Sequence, residues 1–326
     1  MIRSRIIGTG HYLPAKVLTN SDLEHLMDTT DEWIRQRTGI LQRHIAAEDE
    51  AASDLAAHAS RRALENAGIS AEELDYIVCA TLTPDYFMPS SACLLEHKIG
   101  AARAGACDLN AACSGFLYGV QMADALIRAG VHRTVLVVGA EIMTARLDWT
   151  KRDTAVLFGD GAGAVVLRAE ENDGGVLSTF TASDGEAYDI LIVPAGGSRQ
   201  AITPENIHEL DRGIRMNGRE LYKRAVFAFG DAIEQALNRA GVCVDDIDVF
   251  VPHQANKRII ASAADRIGLP EEKIYLNVDR VANTSAASIP IALDQAVAEG
   301  RIRRGSLVLL AAFGAGLTWA SAVIRW

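Results

Sequence analysis

The chain has 326 residues, 49% hydrophobic and 23% charged, which suits one large or two medium domains with substantial cores. With 32 Lys and Arg against 42 Asp and Glu its net charge is −10, so attraction of the whole molecule to nucleic acid is not expected. Five cysteines, an odd number without a CxxC pair, point to a reducing, cytoplasmic setting and away from a disulfide framework or a zinc site.

Residues Ile2 to Gly10 read as a strand and turn, entered from Met1 without the apolar core of a signal peptide. Ser21 to Leu26 and Thr29 to Gly39 read as short helices, the second opened by capping residues and carrying exposed arginines. Ser53 to Ala67 is an amphipathic helix ended by Gly68, and Leu74 to Thr81 a strand. Ala104 to Leu109 is a short buried strand. It ends in Asn110-Ala111-Ala112-Cys113-Ser114-Gly115-Phe116, and a mostly apolar helix from Ser114 to Ala129 follows, closed by Gly130. Cys113 therefore stands where a strand hands over to a buried helix. A helix N-terminus carries unpaired N–H groups and partial positive charge, both of which favour the nucleophilic thiolate.

Thr134 to Ala140 is a buried strand, and Phe158-Gly159-Asp160-Gly161-Ala162-Gly163-Ala164 reads as a glycine loop leading into the strand Val165 to Arg168. The polar, glycine-rich run Glu170 to Gly175 is the best boundary, giving halves of 1–172 and 173–326. Residues 185–213 read as an irregular surface excursion. The uncharged run from Gly305 to Ile324 has the length of a membrane span, but its central Gly314-Ala315-Gly316 and β-rich flanks favour two buried strands joined by a turn.

The second half repeats the first. Ala63 to Ile69 is echoed 173 residues later by Ala236 to Val242, and Leu74 to Val78 by Ile247 to Val251. Further on, Cys113 to Gly130 matches Asn283 to Gly300 at a spacing of 170, a slip of three that sets Cys113 opposite Asn283. Ala80 corresponds to His253, in Pro252-His253-Gln254-Ala255-Asn256. Alternating strands and helices in two similar halves imply an α/β fold with parallel-rich sheets packed by pseudo-two-fold symmetry. That symmetry brings Cys113, His253 and Asn283 toward one central site.

At these residues the sequence resembles the thiolase superfamily of condensing enzymes, and the β-ketoacyl-acyl carrier protein synthase III family in particular. The resemblance runs over the whole chain. It is carried by Asp31-Glu32-Trp33-Ile34 with Arg37-Thr38-Gly39, by the Cys113 segment, by Phe158 to Gly163, by Pro252 to Asn256 with Arg258, by Asn283 to Pro290, and by Gly316-Leu317-Thr318-Trp319. It implies a five-layered αβαβα fold of two pseudo-symmetric halves and a homodimer. It also implies an acyltransferase that joins a short acyl-CoA, with acetyl-CoA expected, to malonyl-ACP in type II fatty-acid synthesis, without a tightly bound cofactor or metal.

In that reading Cys113 takes up the acyl group, His253 and Asn283 serve decarboxylation, and the backbone N–H groups of Cys113 and Ala315 form the oxyanion hole. Thr29, Trp33, Arg37 and Arg152 would bind coenzyme A. Gln254, Ala255, Asn256, Lys257, Arg258 and Lys223 would meet the acidic acyl carrier protein, with Arg212, Arg215 and Arg219 at near-helical spacing and Arg224 and Arg266 adding positive charge. Phe87 would reach across the dimer into the acyl pocket, where its bulk favours a short primer. Three residues depart from the family pattern: Ala282 and Ala315 in place of glycines, and Asp265 in place of a basic residue.

The order Cys, His, Asn also fits a papain-like protease, but the repeat and the absence of a Cys-Gly-Ser-Cys-Trp signature oppose it. A redox role for the glycine segment is disfavoured because it precedes a strand instead of opening a helix after one. The nearer alternative is a related synthase joining an acyl-CoA to another nucleophile in secondary metabolism. A non-catalytic partner subunit would not need Cys113, His253 and Asn283 together.

Overall fold

The computed structural model describes residues 2–171 and 174–326, so the boundary expected at 172/173 lies outside the described residues. In the first half the strands are β1 (Ile2–Tyr12), β2 (Lys16–Thr19), β3 (Gln42–Ile45), β4 (Tyr76–Ala80), β5 (Gly105–Leu109), β6 (Thr134–Ile142) and β7 (Asp160–Glu171). The helices there are α1 (Asn20–Glu24), α2 (Asp31–Thr38), α3 (Ala52–Ala67), α4 (Ser91–Ile99), α5 (Gly115–Arg128) and α6 (Arg152–Ala155). The second half has β8 (Gly175–Ser183), β9 (Leu191–Ile192), β10 (Arg215–Met216), β11 (Val249–Pro252), β12 (Leu307–Gly314) and β13 (Thr318–Arg325). Its helices are α7 (Gly218–Ala240), α8 (Lys257–Ile267), α9 (Val278–Val281) and α10 (Ser288–Ala298).

Two large sheets form, in the orders β1-β7-β6-β4-β5 and β8-β13-β12-β11, beside two small antiparallel pairs, β2 with β3 and β9 with β10. Within each large sheet, one strand pair beside the crossover helix is parallel (β4 with β6, β11 with β12) and the remaining matched pairs are antiparallel. The first sheet has β5 as a fifth strand parallel to β4; at the equivalent edge of the second, a single parallel bridge joins Phe250 and Ile274. Helices α5 and α10 lie between the sheets, where Phe116, Leu117 and Val120 meet Ile289, Leu293, Val137 and Leu310 in one core. Leu55 and Leu64 of α3 and Leu95 of α4 cover the outer face of the first sheet, and Phe229 and Ile233 of α7 with Ile260 of α8 cover that of the second. This is the expected αβαβα order of five layers.

The repeat holds at 173 residues for α3 and α7, for the turns that precede α5 and α10, and for β6 and β12, which start at Thr134 and Leu307. Helices α3 and α7 both end on a left-handed glycine, Gly68 at φ 66°, ψ 34° and Gly241 at φ 68°, ψ 35°. The 3₁₀ turns Ala112–Ser114 and Ser285–Ala287 match, each opening on a residue of positive φ, Ala112 at 46° and Ser285 at 49°. The expected slip to 170 is therefore wrong. Helix α10 has 11 residues against 14 in α5, so aligning the glycines that follow them shifted the register by three. Asn283 corresponds to Asn110, and Cys113 to Ala286.

The segment Phe158 to Ala164 is strand from Asp160 on rather than a loop, with Phe158 just before it in a single parallel bridge to Asn283. Its glycines answer to packing: a Cβ on Gly163 would lie 2.6 Å from Ile291 N of α10. The uncharged run near the C-terminus is the antiparallel pair β12 and β13, and no helix among the described residues is long and apolar enough to cross a membrane.

Candidate active site

Three chain segments deliver the central side chains, two of them beyond strands and one after the short helix α9. Beyond β5, Asn110 Oδ1 accepts from Ala112 N at 3.2 Å and turns the chain into the 3₁₀ turn that carries Cys113. Cys113 is 6% exposed, and burial pushes its thiol up to about 12, against a smaller favourable effect of the Ser285 hydroxyl. Burial thus opposes the thiolate that a helix N-terminus would favour, and α5 itself starts two residues later.

His253 follows β11, its N–H donating to Ala311 O at 2.8 Å. Its Nδ1 lies 2.6 Å from Ser288 Oγ, and burial pushes the imidazole down to about 3, so the ring is neutral. Asn283 is tied to the first half by its main chain, donating to Leu157 O at 3.0 Å and accepting from Gly159 N at 3.1 Å. Its Oδ1 accepts from Ser285 N at 2.8 Å. An amide N–H can only donate, which fixes the oxygen of Asn283 on that side and leaves its NH₂ free of partners among the described residues.

Cys113, His253 and Asn283 all line one cavity of about 790 Å³, with Gly314, Phe158 and Phe229 on its walls. Its mouth carries Trp33, Arg37, Arg219, Lys223, Asn256 and Arg258. Trp33 is flanked by two guanidinium groups, Arg152 at 4.8 Å and Arg37 at 5.7 Å from the ring centre, and Arg152 is held by Asp28 O at 3.1 Å. Such a basic, aromatic rim suits a ligand that combines phosphates with a flat heterocycle. Thr29 is half-buried just before α2; it is not on the cavity wall, and its buried Oγ1 has no partner.

Lys223, Lys257 and Arg258 are exposed, and Ala255 and Asn256 half-buried. Gln254 is a correction. It is completely buried, donating to Pro252 O and Tyr275 O and accepting from Asn277 N and Val278 N, so it braces the His253 loop and cannot face a protein partner. Arg212 and Arg215 precede α7, which starts at Gly218, and Arg224 is paired with Asp184 and Glu220; these do not form one helical stripe with Arg219 and Lys223. Phe87 is 87% exposed and absent from the cavity of its own chain. Ala315 is half-buried beside Gly314 and has no positive φ, so alanine there is unstrained. Ala282 does adopt a glycine-like backbone, at φ 61°, ψ −162°.

Two residues went unread in the sequence. Glu141, at the end of β6, is fully buried and accepts from Thr83 Oγ1 at 2.7 Å, Thr81 Oγ1 at 3.2 Å and Leu82 N at 3.1 Å. Burial pushes its carboxyl up to about 7 despite those donors. A lone acid closing an apolar strand was the available signal. Ser288 carried a weaker one, a hydroxyl at the first position of a buried helix.

The models of the family described as 3-oxoacyl-[acyl-carrier-protein (ACP)] synthase III match residues 107–185 and, for its C-terminal part, residues 237–326. The chain is 51% identical over 325 residues to the β-ketoacyl-[acyl-carrier-protein] synthase III of Xanthomonas campestris, covering 100% of this chain and 99% of that one. Among solved structures, the 3-oxoacyl-[acyl-carrier-protein] synthase III of Aquifex aeolicus superposes with a TM-score of 0.93 at 44% identity, covering 99% of this chain and 100% of that one. The priming β-ketosynthase of the R1128 polyketide pathway superposes with a TM-score of 0.92 at 36% identity, over 99% and 96% of the two chains.

Proposed function

The chain belongs to the 3-oxoacyl-[acyl-carrier-protein] synthase III family of acyltransferases, which carries out the initiating condensation of fatty-acid synthesis, and we propose that Cys113, His253 and Asn283 perform that reaction here. The observation that carries this reading is the convergence of all three on one buried cavity with a basic, aromatic mouth. The Cys113 sulfur attacks an acyl-CoA thioester, coenzyme A leaves as its thiol, and the acyl group stays on the sulfur. Malonyl-ACP enters next. Its terminal C–C bond breaks, CO₂ departs, and the electron pair flows into an enolate whose oxygen is met by His253 and the Asn283 NH₂. Donors aimed at that oxygen lower the barrier because the charge they stabilise is present only once the bond yields. The enolate carbon attacks the acyl carbonyl, whose oxyanion is held by the N–H groups of Cys113 and Ala315; the oxyanion collapses, the C–S bond breaks as β-ketoacyl-ACP forms, and the Cys113 thiolate takes up a proton from solvent to return to the thiol.

Coenzyme A lies with its adenine on Trp33 among Arg37 and Arg152, and no resident cofactor takes part. The acyl carrier protein docks on Ala255, Asn256, Lys257, Arg258 and Lys223. The enzyme works as a cytoplasmic homodimer. Support for the dimer comes from β5, an open sheet edge, and from Phe87 and Met88, 87% and 86% exposed in the isolated chain. Phe87 of one subunit closes the acyl pocket of the other and restricts it to short primers such as acetyl.

Intact mass after incubation with a panel of acyl-CoAs tests the reading. Acetyl-CoA adds one acetyl group, Cys113→Ala abolishes the gain, and malonyl-ACP discharges it as a β-ketoacyl product. Loading by decanoyl-CoA in preference to acetyl-CoA would overturn the short primer and favour a polyketide-priming role, for which the 36% identical relative is the precedent.

A further inference from the structure

The two nitrogens of His253 have different surroundings. The ring is on the cavity wall, while Nδ1 is taken up by Ser288 Oγ at 2.6 Å. Which nitrogen carries the hydrogen decides whether the ring offers the substrate a donor or only an acceptor.

Ser288 settles this by its own hydrogen-bond accounting. It is 2% exposed, and among the described residues its hydroxyl has two partners, His253 Nδ1 and the Gln254 N–H at 3.4 Å. The amide can only donate, so Oγ accepts from it. The hydroxyl hydrogen then has one acceptor within reach, which is Nδ1. Were Nδ1 protonated instead, that hydrogen would be buried with nothing to receive it, an arrangement folded proteins avoid. Gln254 cannot relax the constraint, since its side chain is saturated by Pro252, Tyr275, Asn277 and Val278.

The pseudo-symmetry supplies an internal comparison. The residues equivalent to His253 and Ser288 at a spacing of 173 are Ala80 and Gly115. A Cβ on Gly115 would lie 3.1 Å from the Ala80 Cβ, so the first half brings the same two positions together without any polar group. Close approach belongs to the fold, and the hydrogen bond is specific to the half that bears the histidine.

We propose that Ser288 is a positioning residue that holds His253 in the Nε2–H tautomer, so that His253 acts as a hydrogen-bond donor to the malonyl thioester oxygen. The inference rests on the functional reading above. No proton changes hands when CO₂ leaves: Nε2–H and the Asn283 NH₂ only donate to the enolate oxygen. The same tautomer has no free lone pair on the cavity side for the Cys113 proton, which in loading ends on the sulfur of the departing coenzyme A. Ser288 therefore separates the two half-reactions, being needed for decarboxylation and dispensable for loading.

Nitrogen-15 NMR of the histidine-labelled protein, with His253 assigned by its absence in His253→Ala, reads the tautomer directly. The expected spectrum has an unprotonated Nδ1 and a protonated Nε2; the reverse pattern overturns the proposal. In kinetics, Ser288→Ala should load acetyl from acetyl-CoA within about threefold of the parent, yet decarboxylate malonyl-ACP about ten- to a hundredfold more slowly in kcat with little change in KM. Ser288→Thr, which keeps the hydroxyl, should recover most of that loss. Equal losses in both half-reactions, or none in either, would contradict a tautomer role. If the parent protein neither loads nor decarboxylates, the functional reading is what fails, and the NMR result still decides the tautomer.

Discussion

Gly314 lies so close to Cys113 that a Cβ placed on it would sit 2.7 Å from the Cys113 nitrogen and 2.9 Å from the Cys113 Cβ. Neither backbone can retreat easily. β12 ends at Gly314 between β11 and β13, and the Cys113 turn is pinned between β12 and the turn at Ser285. Gly314→Ala must therefore displace the nucleophile. The expected outcome is at least a tenfold slower acetyl loading, because small misplacements of reacting groups cost rate steeply. Overpacking of about 1–3 kcal/mol should accompany it as a lower melting temperature. Normal loading would show that the turn moves freely, contrary to the packing.

Ala282 occupies a backbone region that glycine alone visits without strain, and the strain is of the order of 1–3 kcal/mol. Ala282→Gly relieves it. Against this stand the greater freedom of glycine in the unfolded chain, about 0.5–1 kcal/mol, and the loss of a buried methyl, about 0.8 kcal/mol. The balance runs from a loss of about 0.8 to a gain of about 1.7 kcal/mol, so a modest gain is expected in urea unfolding, with acetyl loading unchanged. Destabilisation by more than about 1 kcal/mol would mean that packing of the methyl against Ile34, Ile40 and Val156 dominates.

The layered architecture and its repeat were legible in the sequence because both helices that end on Gly68 and Gly241 announce themselves by the same cap. The positions of Cys113 and His253 were legible too, since each follows a hydrophobic strand, whereas Asn283 follows the short helix α9. What misled was length: α10 stops one turn early, and the glycine after it drew Asn283 opposite Cys113. The true counterpart, Asn110, makes the same local bond, Oδ1 to the amide two residues on, but in the first half this bond only shapes the turn. Gln254 looked like surface because polar residues usually are, and its burial follows from four backbone partners that lie 2 to 24 residues away. Ser288 and Glu141 stood out less because their partners, His253 and Gln254 for the one and Thr81, Leu82 and Thr83 for the other, lie 34 to 60 residues away in the chain.

Glu141 and His253 pull the pH dependence of stability in opposite directions. The Glu141 carboxyl is raised from an ordinary 4.5 to about 7 in the folded protein, chiefly by burial. Between those values the unfolded chain has released a proton that the folded chain keeps, so its contribution falls as pH rises. The His253 imidazole is lowered from 6.5 to about 3 by burial. Between those values the unfolded chain binds a proton that the folded chain does not, so its contribution falls as pH drops. From about pH 4.5 to 6.5 the two slopes oppose each other, each at most about 1.4 kcal/mol per pH unit. Glu141→Gln should therefore make stability climb more steeply with pH across that window than in the parent, and His253→Ala should make it climb less or fall. Urea midpoints at half-unit intervals of pH would show it; three parallel curves would mean that neither group is held as its burial demands.

The basic mouth sits on a molecule of net charge −10, so attraction of an acidic carrier protein must be local. Lys257 and Arg258 open α8, and Lys223 stands on the first turns of α7 across the cavity entrance. Arg224, one residue on, is already paired with Asp184 and Glu220 and offers a control of equal formal charge. Charge reversal at an interface rim acts mainly on association and is screened by salt. Arg258→Glu should thus raise KM for malonyl-ACP about tenfold at low salt, with the difference from the parent shrinking toward 0.5 M salt, where the Debye length is only about 4 Å. Arg224→Ala should shift it by less than about twofold, since its charge is largely cancelled by its two carboxylates. Loading from acetyl-CoA, followed by mass in the absence of carrier protein, separates docking from damage to the coenzyme A path. If Arg258→Glu slows loading as much as condensation, Arg258 serves the coenzyme and the carrier protein lands elsewhere; if it slows condensation alone, the carrier face begins at the N-terminus of α8, on the rim of the cavity that His253 lines.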